Sequence, residues 1–299
     1  MLIDIHTHIT YSGFPDFSAK LGRRPFTADI LLRRMDLEGI DKSVVLPLEN
    51  PENNGSYAVA GTMETLEACR RHPGRLIPFC NIDPRMMLNT PKADLSALMG
   101  IYKDYGCLGI GEVCAQLPVT SPLYHNLFRR AGEMGMPLLF HLTGKRGGTY
   151  GMIDKPGMPG LEAALAKFPQ TVFIGHAMAF WGEISADLDP KQREAYPKGP
   201  VKKGGRLCEL LAKHPNLYAD ISAGSGHNAV SRDPGFGYKF LEAHRKKVFF
   251  GTDRFTSEDE PVPPVIGFLN DGVKGGKLSR GAYDDITHKN FQRVFNFKA

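Results

Sequence analysis

The sequence predicts an α/β chain folded as a single-domain (β/α)8 TIM barrel, and three observations carry that expectation. Eight short apolar runs, rich in β-branched and aromatic residues, recur along the 299 residues. Their starts lie roughly 30 to 46 residues apart, about the size of a βαβ unit. Prolines that stop a helix stand just before three of them. Strands that alternate with helices at this spacing make parallel sheets, and eight such units favour a closed barrel over an open sheet.

In chain order the runs are LIDIH (2–6), SVVLPL (43–48), LIPFCNI (76–82), CLGIGEV (107–113), PLLFHL (137–142), TVFIGH (171–176), LYADIS (217–222) and VFFGTD (248–253). Each leads into a polar loop and then a helical pattern. The helix ends read RHPGRLI (71–77), KFPQTVF (167–173) and KHPNLYA (213–219). In each, proline cannot continue the helix and the next strand follows within two or three residues. Such turns lie at the bottom of a barrel, so His72 and His214 read as helix-terminal residues beside the last carbonyls. The loops that follow strands open on the top face. Those at 9–26, 143–159, 177–203 and 223–236 are long enough to build a substrate pocket there. The last segment, ITHKNFQRVFNF (286–297), reads as a closing amphipathic helix that buries Ile286, Phe291, Val294 and Phe295.

Composition narrows the class. Hydrophobic residues at 42% and charged residues at 23% suit a folded chain with a large core. The net charge of +5 comes without a long basic run, so nucleic acid is not an expected partner. The cluster Lys198, Lys202, Lys203 and Arg206 reads as a solvated loop. Five cysteines, an odd number without paired spacing, fit a reducing compartment. No apolar stretch is long enough to span a bilayer, and MLIDIHTH already reads as a strand. A cytoplasmic protein with a small-molecule substrate is expected, with a homo-oligomer allowed by apolar residues on the barrel helices.

His6 and His8 are two apart on a strand, so both side chains share a face and sit at the barrel mouth. Glu112, His141, His176 and Asp253 fall at the ends of four other runs. Singly, each has an ordinary reading: a satisfied core histidine, a partner for a buried base, a helix cap. Together they are polar groups at the ends of apolar strands, and burying them unpaired would cost several kcal/mol. A divalent ion resolves this, and imidazoles with a carboxylate suit zinc. Asp4 shares the parity of His6 and His8. It is expected to point inward one layer deeper, either orienting a ligand or satisfied by nearby backbone.

The motifs DIHTH (4–8), FHLTG (140–144), IGHAMAFWGEI (174–184), FFGTDRF (249–255) and NFQRVF (290–295) resemble the amidohydrolase superfamily. The likeness is to its amidohydrolase-2 branch, which holds aminocarboxymuconate semialdehyde decarboxylase-like and resorcylate decarboxylases together with lactone and amide hydrolases. It covers nearly the whole chain. The resemblance implies that His6, His8, His141 and Asp253 bind one ion, that His176 polarises the substrate or handles a proton, and that Asp253 also accepts a proton. Glu112, in LGIGEV, resembles instead strand 4 of TatD-type binuclear members. In that pattern His141 and His176 hold one ion, His6, His8 and Asp253 the other, and Glu112 bridges them.

The activity so implied is metal-dependent hydrolysis of a small amide, lactone or other ester. Non-oxidative decarboxylation is the alternative, with a TatD-like phosphoester hydrolase or an inactive binding barrel further off. Lys145, Arg146, Trp181 and Arg254, close in sequence to the ligands, are expected to contact a carboxylate-bearing substrate.

Overall fold

The computed structural model describes residues 1–11, 13, 16–53 and 58–298, so parts of the long loop expected at 9–26 lie outside the described residues. Among the described residues nine parallel strands run β1 (Ile3–Thr7), β2 (Lys42–Val45), β3 (Leu76–Pro78), β4 (Ile110–Val113), β5 (Leu138–Thr143), β6 (Met152–Ile153), β7 (Phe173–His176), β8 (Leu217–Asp220) and β9 (Val248–Phe249). The ladders β1-β2-β3 and β4-β5-β7-β8-β9 join into one ring. Between β3 and β4, Cys80 N donates to Gly109 O (3.1 Å) and Gly111 N to Cys80 O (2.8 Å). Between the end of β9 and β1, Ile5 N donates to Phe250 O (3.0 Å), Asp253 N to His6 O (2.7 Å) and His8 N to Arg254 O (2.9 Å). Eight strands therefore close a barrel, and all eight expected runs supply one. The short β6 was not foreseen. It pairs with the end of β5 through Leu142 and Thr143 and stitches the 144–151 loop over the top face.

Helix boundaries follow local chemistry. Ser121 accepts from Leu123 N at the start of the helix Pro122–Met134, where proline occupies the first turn. Gly135 then ends that helix with φ +62°, a conformation that costs glycine nothing. His72 and His214 cap the C-terminal ends of the helices Thr62–Arg71 and Arg206–Lys213, at the bottom of the barrel as expected. Among the described residues no helix is long and apolar enough to cross a membrane.

The core divides in two. A lumen cluster of Ile3, Ile5, Val44, Leu46, Ile77, Phe79, Leu139, Ile174 and Phe249 is plugged from below by Phe291 and Phe295 of the C-terminal segment. There the Phe295 ring lies 5.4 Å from that of Phe79. The larger cluster fills the space between strands and helices. The C-terminal segment is helical without a break from Arg280 to Val294, widening into a π-helical turn over Asp285–Lys289 before the helix Asn290–Val294.

Two β-bulges decide which side chains reach the lumen. In β1 the register advances three residues, Asp4 to Thr7, against two of β2, Ser43 to Val45. In β4 it advances from Ile110 to Val113 against Leu138 to Phe140 of β5. A bulge adds a residue and re-aims the chain beyond it. Hence Ile3 and Ile5 line the lumen and His6, the next residue, does so as well. Ile110 and Val113 pack outward in the larger cluster while Glu112 between them faces in. Asp4 does not share a parity with His6. It is fully buried, and its carboxylate accepts from His6 N (3.0 Å), Thr252 N (2.9 Å) and the Thr252 hydroxyl, so the backbone-satisfied reading is the one observed.

Candidate metal centre

Six side chains from five strand ends converge at the barrel mouth. Nε2 of His6 and Nε2 of His8 are 3.1 Å apart, and Asp253 Oδ1 lies 3.3 Å from the first and 3.5 Å from the second. Glu112 Oε2 stands 3.8 and 3.7 Å from the same two nitrogens, and its Oε1 is 2.8 Å from His141 Nδ1. His176 Nε2 is 3.9 Å from Asp253 Oδ2. Three overlapping donor groups result: His6, His8 and Glu112; Glu112, His141 and His176; His6, His176 and Asp253.

The donor set fits a divalent ion. Zinc–ligand bonds of 2.0 to 2.2 Å in a tetrahedron separate neighbouring donors by about 3.3 Å, and the His6, His8 and Asp253 atoms are spaced at 3.1, 3.3 and 3.5 Å. The outer nitrogens are spoken for. His8 Nδ1 donates to Leu46 O at 2.7 Å, and His6 Nδ1 and His176 Nδ1 lie 2.7 and 3.1 Å from Asp220 Oδ2. With Nδ1 so engaged, Nε2 of each ring is turned to the centre. His141 Nε2 is buried and has no hydrogen-bond partner among the described residues.

Electrostatics point the same way. Burial works to raise the Glu112 carboxyl, but the charge and hydrogen bond of His141, with His6 and His176 behind it, hold it well below the usual carboxylate range. Asp253 is likewise lowered, burial being outweighed by His6, His8 and His176. Burial disfavours charge on His176, yet Asp220, Glu112 and Asp253 push it up to about 9. His8 is raised against its own burial by Asp253. The mouth thus holds carboxylates that stay ionised and draw positive charge to themselves.

Asp253 sits just beyond β9 in the left-handed region, φ +59°. Its backbone N–H is held by His6 O, and its side chain, 29% exposed, faces solvent more than any other member of the cluster.

The residues expected to contact substrate separate. Lys145 and Arg146 are exposed on the loop after β5, which is anchored by Gly147 N to Gln116 Oε1 (3.2 Å) and by Gly144 N to Glu194 Oε1 (2.8 Å). Trp181 is 1% exposed, packs on Phe180 and Phe240, and donates its indole N–H to Asp220 O at 2.8 Å; it supports the site from behind. Arg254 points away from the lumen. Its guanidinium is taken up by Glu38, by Glu260 Oε2 (2.7 Å) and by Pro261 O, because strand neighbours alternate and Asp253 occupies the inward side. Arg34 Nη2 meets the same Glu38 oxygen at 2.6 Å. Arg254→Ala is therefore expected to leave Glu38 with half its compensation and to lower stability by about 3 kcal/mol, read as a shift of the urea midpoint.

Sequence reasoning missed Asp220, Ser222 and Glu194. The first two lie in the LYADIS run, whose polar residues follow the same strand-end rule that singled out the others. Glu194 lies in a long loop, and nothing in its local sequence marks it.

Comparison with known proteins agrees with this architecture. The family model described as amidohydrolase matches residues 3–297. No curated protein matches the sequence. Solved structures similar to the chain include 2,6-dihydroxybenzoate decarboxylase from Rhizobium, at 16% identity and TM-score 0.61, covering 99% of this chain and 98% of that one. An amidohydrolase from Burkholderia multivorans with bound zinc is 13% identical, with TM-score 0.64 and full coverage of both chains. A putative 2-pyrone-4,6-dicarboxylic acid hydrolase from Pseudomonas putida is 16% identical, with TM-score 0.63, covering 100% of this chain and 98% of that one. At these identities the likeness establishes the shared barrel.

Proposed function

The chain belongs to the amidohydrolase family, and we propose that it is a metal-dependent hydrolase of a small amide, lactone or other ester. The observation that carries this reading is the placement of Glu112. One of its oxygens meets His141 and the other faces His6 and His8, so a single carboxylate is available to two sets of histidines. In this reading His6, His8 and Asp253 would hold one divalent ion and His141 and His176 a second, with Glu112 within reach of both sets. Zinc suits the nitrogen-rich donors. Such ions, when bound, lower the pKa of water and polarise a carbonyl oxygen.

The chain's own groups supply the rest. Asp253, ionised and partly open to solvent, takes a proton from the attacking water and passes it to the leaving group. His176, fixed from behind by Asp220, directs Nε2 at the same space, where it would serve as a ligand of the second ion. Lys145 and Arg146 on the exposed rim attract a substrate carboxylate.

The test is a panel of carboxylate-bearing lactones and amides, followed by proton release. Zinc-loaded protein is expected to turn over at least one. A chelator should abolish the rate and added zinc restore it. Release of carbon dioxide from an aromatic carboxylic acid, with no proton-releasing hydrolysis, would replace this reading with the decarboxylase.

A further inference from the structure

Asp220 lies at the end of β8, fully buried behind the cluster, and serves both halves of it through one oxygen. Its Oδ2 is 2.7 Å from His6 Nδ1, 3.1 Å from His176 Nδ1 and 2.7 Å from the Ser222 hydroxyl. The Ser222 Oγ is itself 3.2 and 3.1 Å from the two imidazole nitrogens. Oδ1 accepts the Ser222 backbone N–H at 2.8 Å. Trp181 holds the Asp220 carbonyl from below. The approach is close enough that a Cβ at Gly251 would stand 2.6 Å from Asp220 Oδ1 and 2.9 Å from Ser222 Cβ, so the residue at 251 has to be glycine for this cage to close.

We infer that Asp220 is a positioning residue that keeps a proton on Nδ1 of both His6 and His176, so that the two rings present Nε2 to the metal centre in a fixed mutual register. The argument is one of donor and acceptor inventory. An ionised carboxylate only accepts, and the groups around it, two ring nitrogens, a hydroxyl and an amide N–H, can all donate. An unprotonated Nδ1 at 2.7 or 3.1 Å would set its lone pair against the carboxylate oxygen, so hydrogen on both Nδ1 atoms is the arrangement that opposes no two acceptors, and with Nδ1 so held Nε2 is the inward atom of each ring. His6 belongs to one proposed ion and His176 to the other, so this one carboxylate couples the two sets of ligands from outside the site. The claim about metal affinity rests on the metal-centre reading above; the claim about the protons does not.

Asp220→Asn is the informative substitution because it keeps the shape. Whichever way the amide is turned, its NH2 meets a donor: the Ser222 N–H on one side, the imidazoles on the other. The variant is expected to bind zinc about 10- to 100-fold more weakly by competition with a chromophoric chelator. Ser222→Ala, which leaves both carboxylate oxygens in place, should cost less. The direct readout is the 15N–1H long-range correlation spectrum of 15N-histidine-labelled protein. His6 and His176 are assigned by loss of their signals in His6→Gln and His176→Gln.

In wild type both rings should show a protonated Nδ1, with and without zinc, and in Asp220→Asn at least one should lose that signature. An unprotonated Nδ1 on either ring of wild type overturns the inference, as does a folded Asp220→Asn protein with unchanged imidazole signals. Wild-type zinc affinity in that variant overturns it too. If wild type takes up no zinc, the metal-centre reading fails instead, and the metal-free spectrum still decides the positions of the protons. It decides them as well if Asp220→Asn does not fold.

Discussion

Asp253→Asn is expected to lower turnover about 10²- to 10⁴-fold, the usual worth of a positioned proton acceptor, while the protein stays folded. The size of the effect follows from where the side chain stands. Its Oδ1 is within 3.5 Å of both His6 and His8 Nε2, its Oδ2 faces His176, and it is the cluster member most open to solvent. No other carboxylate among the described residues combines those contacts with an open side. The fold should survive because the residue has φ +59°, a left-handed conformation that asparagine tolerates better than most side chains. The backbone bond from its N–H to His6 O is also unaffected. Alanine would confound the result by placing a less tolerant residue in the same conformation. The measurement is kcat for a substrate found in the hydrolysis panel, with circular dichroism to confirm folding. Full activity in the asparagine variant would sink the hydrolytic mechanism.

Glu112→Gln is expected to change metal stoichiometry as well as rate. Wild type should bind two equivalents of zinc by calorimetry and elemental analysis. The glutamine variant should retain one and lose at least about 10²-fold in turnover. Only one atom of the glutamine amide can accept. With its oxygen towards His141 Nδ1, the NH2 faces His6 and His8 Nε2, and the reverse orientation opposes His141. The shared ligand is lost either way. A variant that still binds two equivalents with wild-type affinity would remove Glu112 from the role of bridge. A wild type that binds one would favour the mononuclear set of His6, His8, His141 and Asp253.

Arg254 shows the limit of arguing from sequence proximity. Standing next to Asp253 made it a candidate for the substrate pocket, yet alternation along the chain sends it outward to Glu38, Glu260 and the Pro261 carbonyl. Trp181 follows the same logic. The helix Met178–Trp181 begins directly after His176 and folds back beneath the site, so the indole anchors Asp220 and the aqueous side is left to other residues. Lys145 and Arg146 lie in a loop whose anchors, Gln116 and Glu194, come from distant segments.

The barrel itself was legible in the sequence, because apolar periodicity and helix-ending prolines are local properties, set by what each segment must bury and where a helix cannot continue. So were the six residues at its mouth, since a charge or an imidazole at the end of an apolar strand has few physical reasons to be there. The tertiary structure alone decided how those six meet. Counting by twos along β4 would turn Glu112 to the side of Ile110, away from the lumen, and along β1 it would group Asp4 with His6. One extra residue in each strand, accommodated against the register of its neighbour, brings Glu112 and His6 inward. A bulge is a relation between two strands and leaves no periodic trace in either. For the same reason Asp220 went unnoticed: its importance lies in two imidazoles, 214 and 44 residues away in sequence, that only a closed barrel sets against one oxygen.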